Sequence, residues 1–118
     1  MFRFGIVVCG LALTGCTLET SAVMGSVKMS EANFVQTVVG RNLLHSNGGV
    51  VVVAENGTFS GMVGDGKLSG TYEWVNGQFC RDGAFNGVPF DYECQDVMLD
   101  GTTVTFQGSD RATVYQIE

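Results

Sequence analysis

A chain of 118 residues has room for one domain, and its 12 acidic against 6 basic side chains give a formal charge of -6. The basic residues are scattered, whereas phosphate backbones and anionic lipid headgroups require clustered Lys and Arg, so no nucleic-acid partner is expected. With 17 Gly, 1 Pro, 8 Phe and 3 Tyr, beside frequent Val and Thr, the composition favours strands joined by tight turns.

The first element is a leader. Arg3 supplies a positive charge, an apolar run extends from Phe4 to Leu13, and small residues follow; this is the pattern of a signal peptide covering residues 1–15, too short to span a bilayer. Leu13-Thr14-Gly15-Cys16 resembles the lipobox of bacterial lipoproteins. The resemblance implies cleavage before Cys16, a diacylglycerol on its sulfur and further acylation of the new amine, hence firm attachment to a membrane, since a single acyl chain binds only marginally. Cys9 lacks small residues before it and is the weaker acceptor. Thr17 stands where an Asp resembles an inner-membrane retention signal, so the expected address is the outer membrane, on its periplasmic side or exposed at the surface. Residues 16–29 read as a lipidated tether, polar and small in composition, and residues 30–118 as the β-rich domain.

A short helix is expected from Ser30 to Val39, capped by Ser30, with an apolar stripe of Phe34, Val35, Val38 and Val39 and with Gly40 at its end. Beyond it, Asn-Gly or Asp-Gly recurs at 47, 56, 65, 76, 82, 86 and 100, a strong hairpin signal wherever apolar residues alternate on both sides. Asn42–Ser46 and Val50–Ala54 read as the first two strands. Two-residue turns at 56–57, 65–66 and 76–77 would pair Ala54 with Phe59, Val63 with Leu68 and Trp74 with Phe79. Continued along the strands, these registers set Phe59 against Tyr72 and Gly61 against Gly70. Val52, Ala54, Phe59, Val63, Leu68, Tyr72, Trp74 and Phe79 would then share one face. The gap at Gly61 and Gly70 would let the sheet bend or a large ring such as Trp74 fold over it. A turn at 100–101 pairs Val97 with Val104 and Leu99 with Thr102, and Ala112–Ile117 forms the last strand. The expected fold is mostly β: an antiparallel meander of seven or eight short strands curling into a small barrel or half-barrel, with one N-terminal helix.

Of four cysteines, Cys9 leaves with the leader and Cys16 takes lipid, so Cys80 and Cys94 are expected to form a disulfide. Both lie off the core face on the registers above. In an oxidising periplasm a bridge closing a loop of about 15 residues stabilises by roughly 3 kcal/mol. Two thiols and the single His45 cannot fill a zinc shell without carboxylates, so no metal and no cofactor are expected.

Catalytic templates fail in turn. Nucleophile arrangements need a positioned His, and His45 reads as a surface residue at a strand end beside the Asn47-Gly48 turn. Gly57-Thr58-Phe59-Ser60-Gly61 lies in a hairpin, without the spacing of a nucleophile elbow. Asp91, Glu93 and Asp96 form a small acidic group in which Asp91 and Glu93 share a strand face; solvated carboxylates describe them better than a calcium site. No dinucleotide-binding fingerprint is present. Arg81 falls opposite Tyr72 on the Trp74 face, where a cation over rings would mark the mouth of a small pocket or a surface patch made of Tyr72, Trp74, Phe79 and Arg81.

The segment Gly70-x-Tyr72-x-Trp74-x-x-Gly77-x-Phe79-Cys80-Arg81, with Cys94 downstream, resembles a group of small uncharacterised alphaproteobacterial secreted β-domains, from about Ser30 to the C-terminus. Some of that group carry a dihydrodipicolinate reductase designation, which the residues here do not support; the resemblance implies no catalytic residues. A looser likeness links a disulfide-stapled barrel lipoprotein to bacterial protease inhibitors, although no inhibitory N-terminal segment is recognisable. The expected function is a non-catalytic envelope module, held to the membrane through Cys16, that contacts another envelope protein, a cell-wall component or a small ligand. Inhibition of a periplasmic or foreign hydrolase and carriage of a small apolar ligand are the alternatives.

Overall fold

The structure, a computed structural model, describes residues 26–118. The leader, Cys9, the lipid site Cys16 and the tether as far as residue 25 lie outside the described residues. Among those described, the elements run β1 (Val27–Lys28), α1 (Glu31–Thr37), β2 (Asn42–His45), β3 (Val50–Val53), β4 (Thr58–Val63), β5 (Gly66–Val75), β6 (Gln78–Phe85), β7 (Val88–Asp100), β8 (Thr103–Gln107) and β9 (Ala112–Ile117). From β2 to β9 each strand pairs antiparallel with the next, and β9 pairs back onto β2. Eight strands therefore close into an up-and-down barrel, a size whose interior side chains either fill or leave open for one small ligand.

The longest strand, β7, has 13 residues. It pairs with β6 along its first part and with β8 along its last, while β1 lies beside Met98 and Leu99, past the end of β6. Val27 and Lys28 join the sheet and Met29 is buried, so these residues, expected in the tether, pack with the barrel.

The helix closes one end of the barrel. Ser30 Oγ accepts a hydrogen bond from the Asn33 backbone N–H at 3.2 Å, satisfying one of the amides that a helix start leaves unpaired. Phe34 and Val38 have no solvent exposure. The Phe34 ring lies 5.3 Å from Trp74, 5.5 Å from Phe79 and 6.1 Å from Phe106, centroid to centroid, so it acts as a stopper among strand aromatics. Val35 was expected in the apolar stripe but is 51% exposed: a seven-residue helix laid over a barrel end has only one side against the core. Gly40 ends the segment at φ +82, as expected.

The hairpin registers agree with the sequence reading where both central residues of the turn tolerate positive φ. Asn76 and Gly77 sit at φ 53 and 79 and pair Trp74 with Phe79. At 65–66 the expected register moves by two, because Gly64 takes the positive φ of the turn and Val63 pairs with Gly66. Phe59 thus faces Gly70, and Gly61 faces Leu68, in place of Tyr72 and Gly70. The face is preserved, since strand alternation has period two. The turn after Asp100 moves in the same way, pairing Leu99 with Val104 and Val97 with Phe106.

At 56–57 the displacement is by one residue. Asn56 uses its side-chain oxygen to accept from the Thr58 N–H at 3.2 Å and the Thr58 hydroxyl at 2.7 Å, and the connection lengthens to three residues so that Val53, not Ala54, faces Phe59. A one-residue slip exchanges the faces. Val51 and Val53 are the buried pair, where Val52 and Ala54 had been expected.

Candidate functional site

Phe34 and its ring of partners fill the helix end; the opposite end is open. A cavity of about 560 Å³ occupies that half of the barrel, within the range of small-molecule sites. Its walls differ. On β3, β4 and β5 the lining is Val51, Val53, Phe59, Val63 and Leu68, all apolar. Across the barrel, β6 and β7 contribute Arg81, Glu93 and Gln95, and β2 and β9 contribute His45 and Tyr115. Glycines make part of the room. Phe85 lays its ring on Gly66, where a Cβ would collide with it, and the tip of the Phe59 ring comes within 2.5 Å of where a Gly70 Cβ would be.

The polar wall is built around Glu93. Arg81 Nη2 reaches Glu93 Oε1 at 3.1 Å and Gln95 Nε2 donates to the same oxygen at 3.2 Å. The Ser109 N–H and hydroxyl donate to Oε2 at 3.2 and 3.3 Å. Arg81 also donates to the Asp91 carbonyl at 2.7 Å and lies 4.4 Å over the Phe90 ring. The ion pair is largely enclosed, with side-chain exposures of 20% and 26%. An ion pair so enclosed persists only with its remaining hydrogen-bonding capacity met, and Glu93 meets it by tying the 108–111 loop to the barrel rim. Gly108 lets the carboxylate approach this closely: a Cβ would sit 2.6 Å from Glu93 Oε1 and push the side chain aside.

Two polar groups on this wall remain open. Tyr115 is 6% and Gln95 7% exposed, and both border the cavity, where the Tyr115 hydroxyl and the Gln95 side-chain oxygen are not among the buried atoms shut off without a partner. Burial pushes the Tyr115 hydroxyl up to about 12, against a smaller opposing pull from the Arg81 charge. It stays protonated as a neutral donor.

The expected pocket residues separate. Phe79 and Arg81 line the cavity, and Arg81 faces Tyr72 in the register as expected. Tyr72 and Trp74 belong to the closed end: Tyr72 stacks on Phe79 at 4.9 Å and donates to the Ala54 carbonyl, and Trp74 packs on Phe34. The Trp74 indole N–H is buried there without a partner among the described residues. Cys80 and Cys94 face each other across β6 and β7 and are disulfide-bonded. They point outward, alternating with Phe79, Arg81, Glu93 and Gln95.

The acidic group is also divided. A bulge opposite Arg81 and Gly83 turns Phe90, in place of Asp91, to the side of Glu93, so Asp91 and Glu93 do not share a face and Glu93 is not a solvated carboxylate. Asp96 lies outside, held below the usual carboxylate range by hydrogen bonds from Gln78 and Lys28. No grouping able to hold a metal occurs among the described residues. His45, expected at a solvent-facing strand end, turns its ring edge-on to Tyr115 at 5.3 Å, with Nδ1 accepting from the Asn47 N–H.

Sequence reasoning missed Glu93, Gln95 and Tyr115 as lining residues. A usable signal existed: once Val97 is set inward on β7, alternation sets Gln95 and Glu93 inward too. Fold and cavity together define a plugged, eight-stranded antiparallel barrel with one amphipathic chamber. Comparison with protein-family models, curated proteins and solved structures gives no significant match for this chain.

Proposed function

We propose that the protein is a non-catalytic envelope module that holds a small, mainly apolar molecule inside its barrel while lipid on Cys16 ties it to a membrane. The observation that carries the reading is the cavity of about 560 Å³ with an aliphatic and aromatic wall on one side. A barrel designed only for stability would close that volume with side chains, since cavities in cores cost free energy. Burial of apolar ligand surface against Val51, Phe59 and Leu68 supplies the affinity, and the few polar groups opposite set the orientation.

Native mass spectrometry of protein extracted gently from its own membranes should show a retained small molecule. Leu68→Trp, which narrows the chamber, should lose it while keeping the fold. Protein that carries no added mass and takes up no apolar probe would end the ligand-binding reading. The address has its own test: labelled palmitate should be incorporated by the wild-type chain and not by Cys16→Ser.

A further inference from the structure

The chemistry of the open wall narrows what the chamber accepts. Arg81 is the positive charge on that wall, and it is already spent on Glu93 and the Asp91 carbonyl. Glu93 in turn is satisfied by Arg81, Gln95 and Ser109. The pair is neutral overall, so an anionic headgroup brought beside it would have to break it or remain uncompensated, and either is costly in an enclosed site. Arg111 also borders the cavity, but it is exposed at the rim, where water screens its pull.

What the wall offers is the Tyr115 hydroxyl, kept neutral by burial, and the Gln95 side-chain oxygen, a pure acceptor. Both belong to residues more than nine-tenths buried, and both border the cavity. An apolar ligand that fills the cavity would shut both groups off from solvent at a cost in free energy, and a ligand group that donates or accepts there recovers it. A hydroxyl does so: it can accept from Tyr115 or donate to Gln95.

We infer that the chamber selects an uncharged, hydroxyl-bearing apolar molecule of the fatty-alcohol class over the corresponding carboxylate. The inference rests on the ligand-binding reading above and specifies the polar end of the ligand.

Decane, decanol and decanoate share one chain and separate the contributions. Titrated against the full chain and read by native mass spectrometry, decanol should bind about fivefold tighter than decane, the worth of one net hydrogen bond. Decanoate should bind more than about tenfold weaker than decanol. Tyr115→Phe keeps the ring and removes the hydroxyl; it should weaken decanol about fivefold and leave decane unchanged, and retained decane binding shows that the variant is folded. Decanoate binding as tightly as decanol, or decanol binding undiminished by Tyr115→Phe, would overturn the inference while leaving an apolar ligand site in place. Failure of all three probes would overturn the ligand-binding reading along with it.

Discussion

The two halves of the barrel are built on the same strands and end in opposite conditions. At the helix end, Phe34 meets Trp74, Phe79 and Phe106 at ring-to-ring distances of 5.3 to 6.1 Å. At the other end Val63, Leu68, His45 and Tyr115 surround a cavity. Strand alternation decides which side chains point inward in both halves, but it does not decide whether they meet. That depends on what is laid over the end: a seven-residue helix on one side, a hydrogen-bonded loop at Glu93 on the other. Close aromatic packing is concentrated in the first half and open space in the second.

The sharpest way to break this contrast is to empty the closed end. Phe34→Ala should cost about 3–5 kcal/mol in urea unfolding, the range for removing a buried aromatic side chain; a loss under about 1 kcal/mol would mean that the plug is not what holds the barrel. Next comes the outer staple. Cys80 and Cys94 are 14 residues apart, and replacing both with Ser should cost about 3 kcal/mol by the chain-entropy account, with the same urea experiment as its check.

Glu93→Gln tests the open half. It removes the counter-charge of Arg81 and weakens the hold on Ser109, and should cost about 1–3 kcal/mol. Its more telling effect is on selectivity: with Arg81 uncompensated, decanoate should gain on decanol. An unchanged preference would show that the pair does not set the charge of the chamber.

The pH response also divides the molecule. The folded Tyr115 value of about 12 exceeds the ordinary 10, so its contribution to stability is complete below about pH 10 and is lost as pH rises toward 12. Titration of phenolate absorbance should show a late-ionising tyrosine that Tyr115→Phe removes. The smallest effect expected is at Asp96. Its folded value is lowered by Gln78 and Lys28, so its contribution is present above the usual carboxylate range and lost as pH falls through the lowered value. Lys28→Ala should reduce the difference in urea midpoint between neutral and acidic pH.

Much of the sheet was legible because turn chemistry is local. Asn76-Gly77 announces its own backbone conformation, and Trp74 and Phe79 pair where it places them. The connections at 64–65 and 101–102 were displaced because a Gly takes the first turn position, and Gly66 is needed in the strand to admit Phe85. The slip at Ala54 follows from Asn56 spending its side chain on Thr58. The cysteine bridge followed from the cysteine count, and the outward direction of both sulfurs from alternation. The cavity did not, because it is made as much by the small size of Gly66 and Gly70 as by the residues that line it. The helix stripe marked Phe34 as apolar without indicating that it would cap a barrel. Nor did the charge pattern reveal that Glu93 faces Arg81 across two strands, since a single bulge separates it from Asp91.

The seam between β2 and β9 sets the pace at which this barrel can be assembled. Every other neighbouring pair among the eight barrel strands is a hairpin that can zip from its own turn, whereas Leu43 must find Ile117 and His45 must find Tyr115 across the full length of the meander. Contacts so distant in sequence form late and slowly. Until they do, the ladder edges of β2 and β9 stay open to strands of other chains. Once shut, with Leu43 and Ile117 buried and Arg41 Nε donating to the Glu118 carbonyl, the same seam removes that hazard, so crowding during folding endangers this protein more than crowding after it.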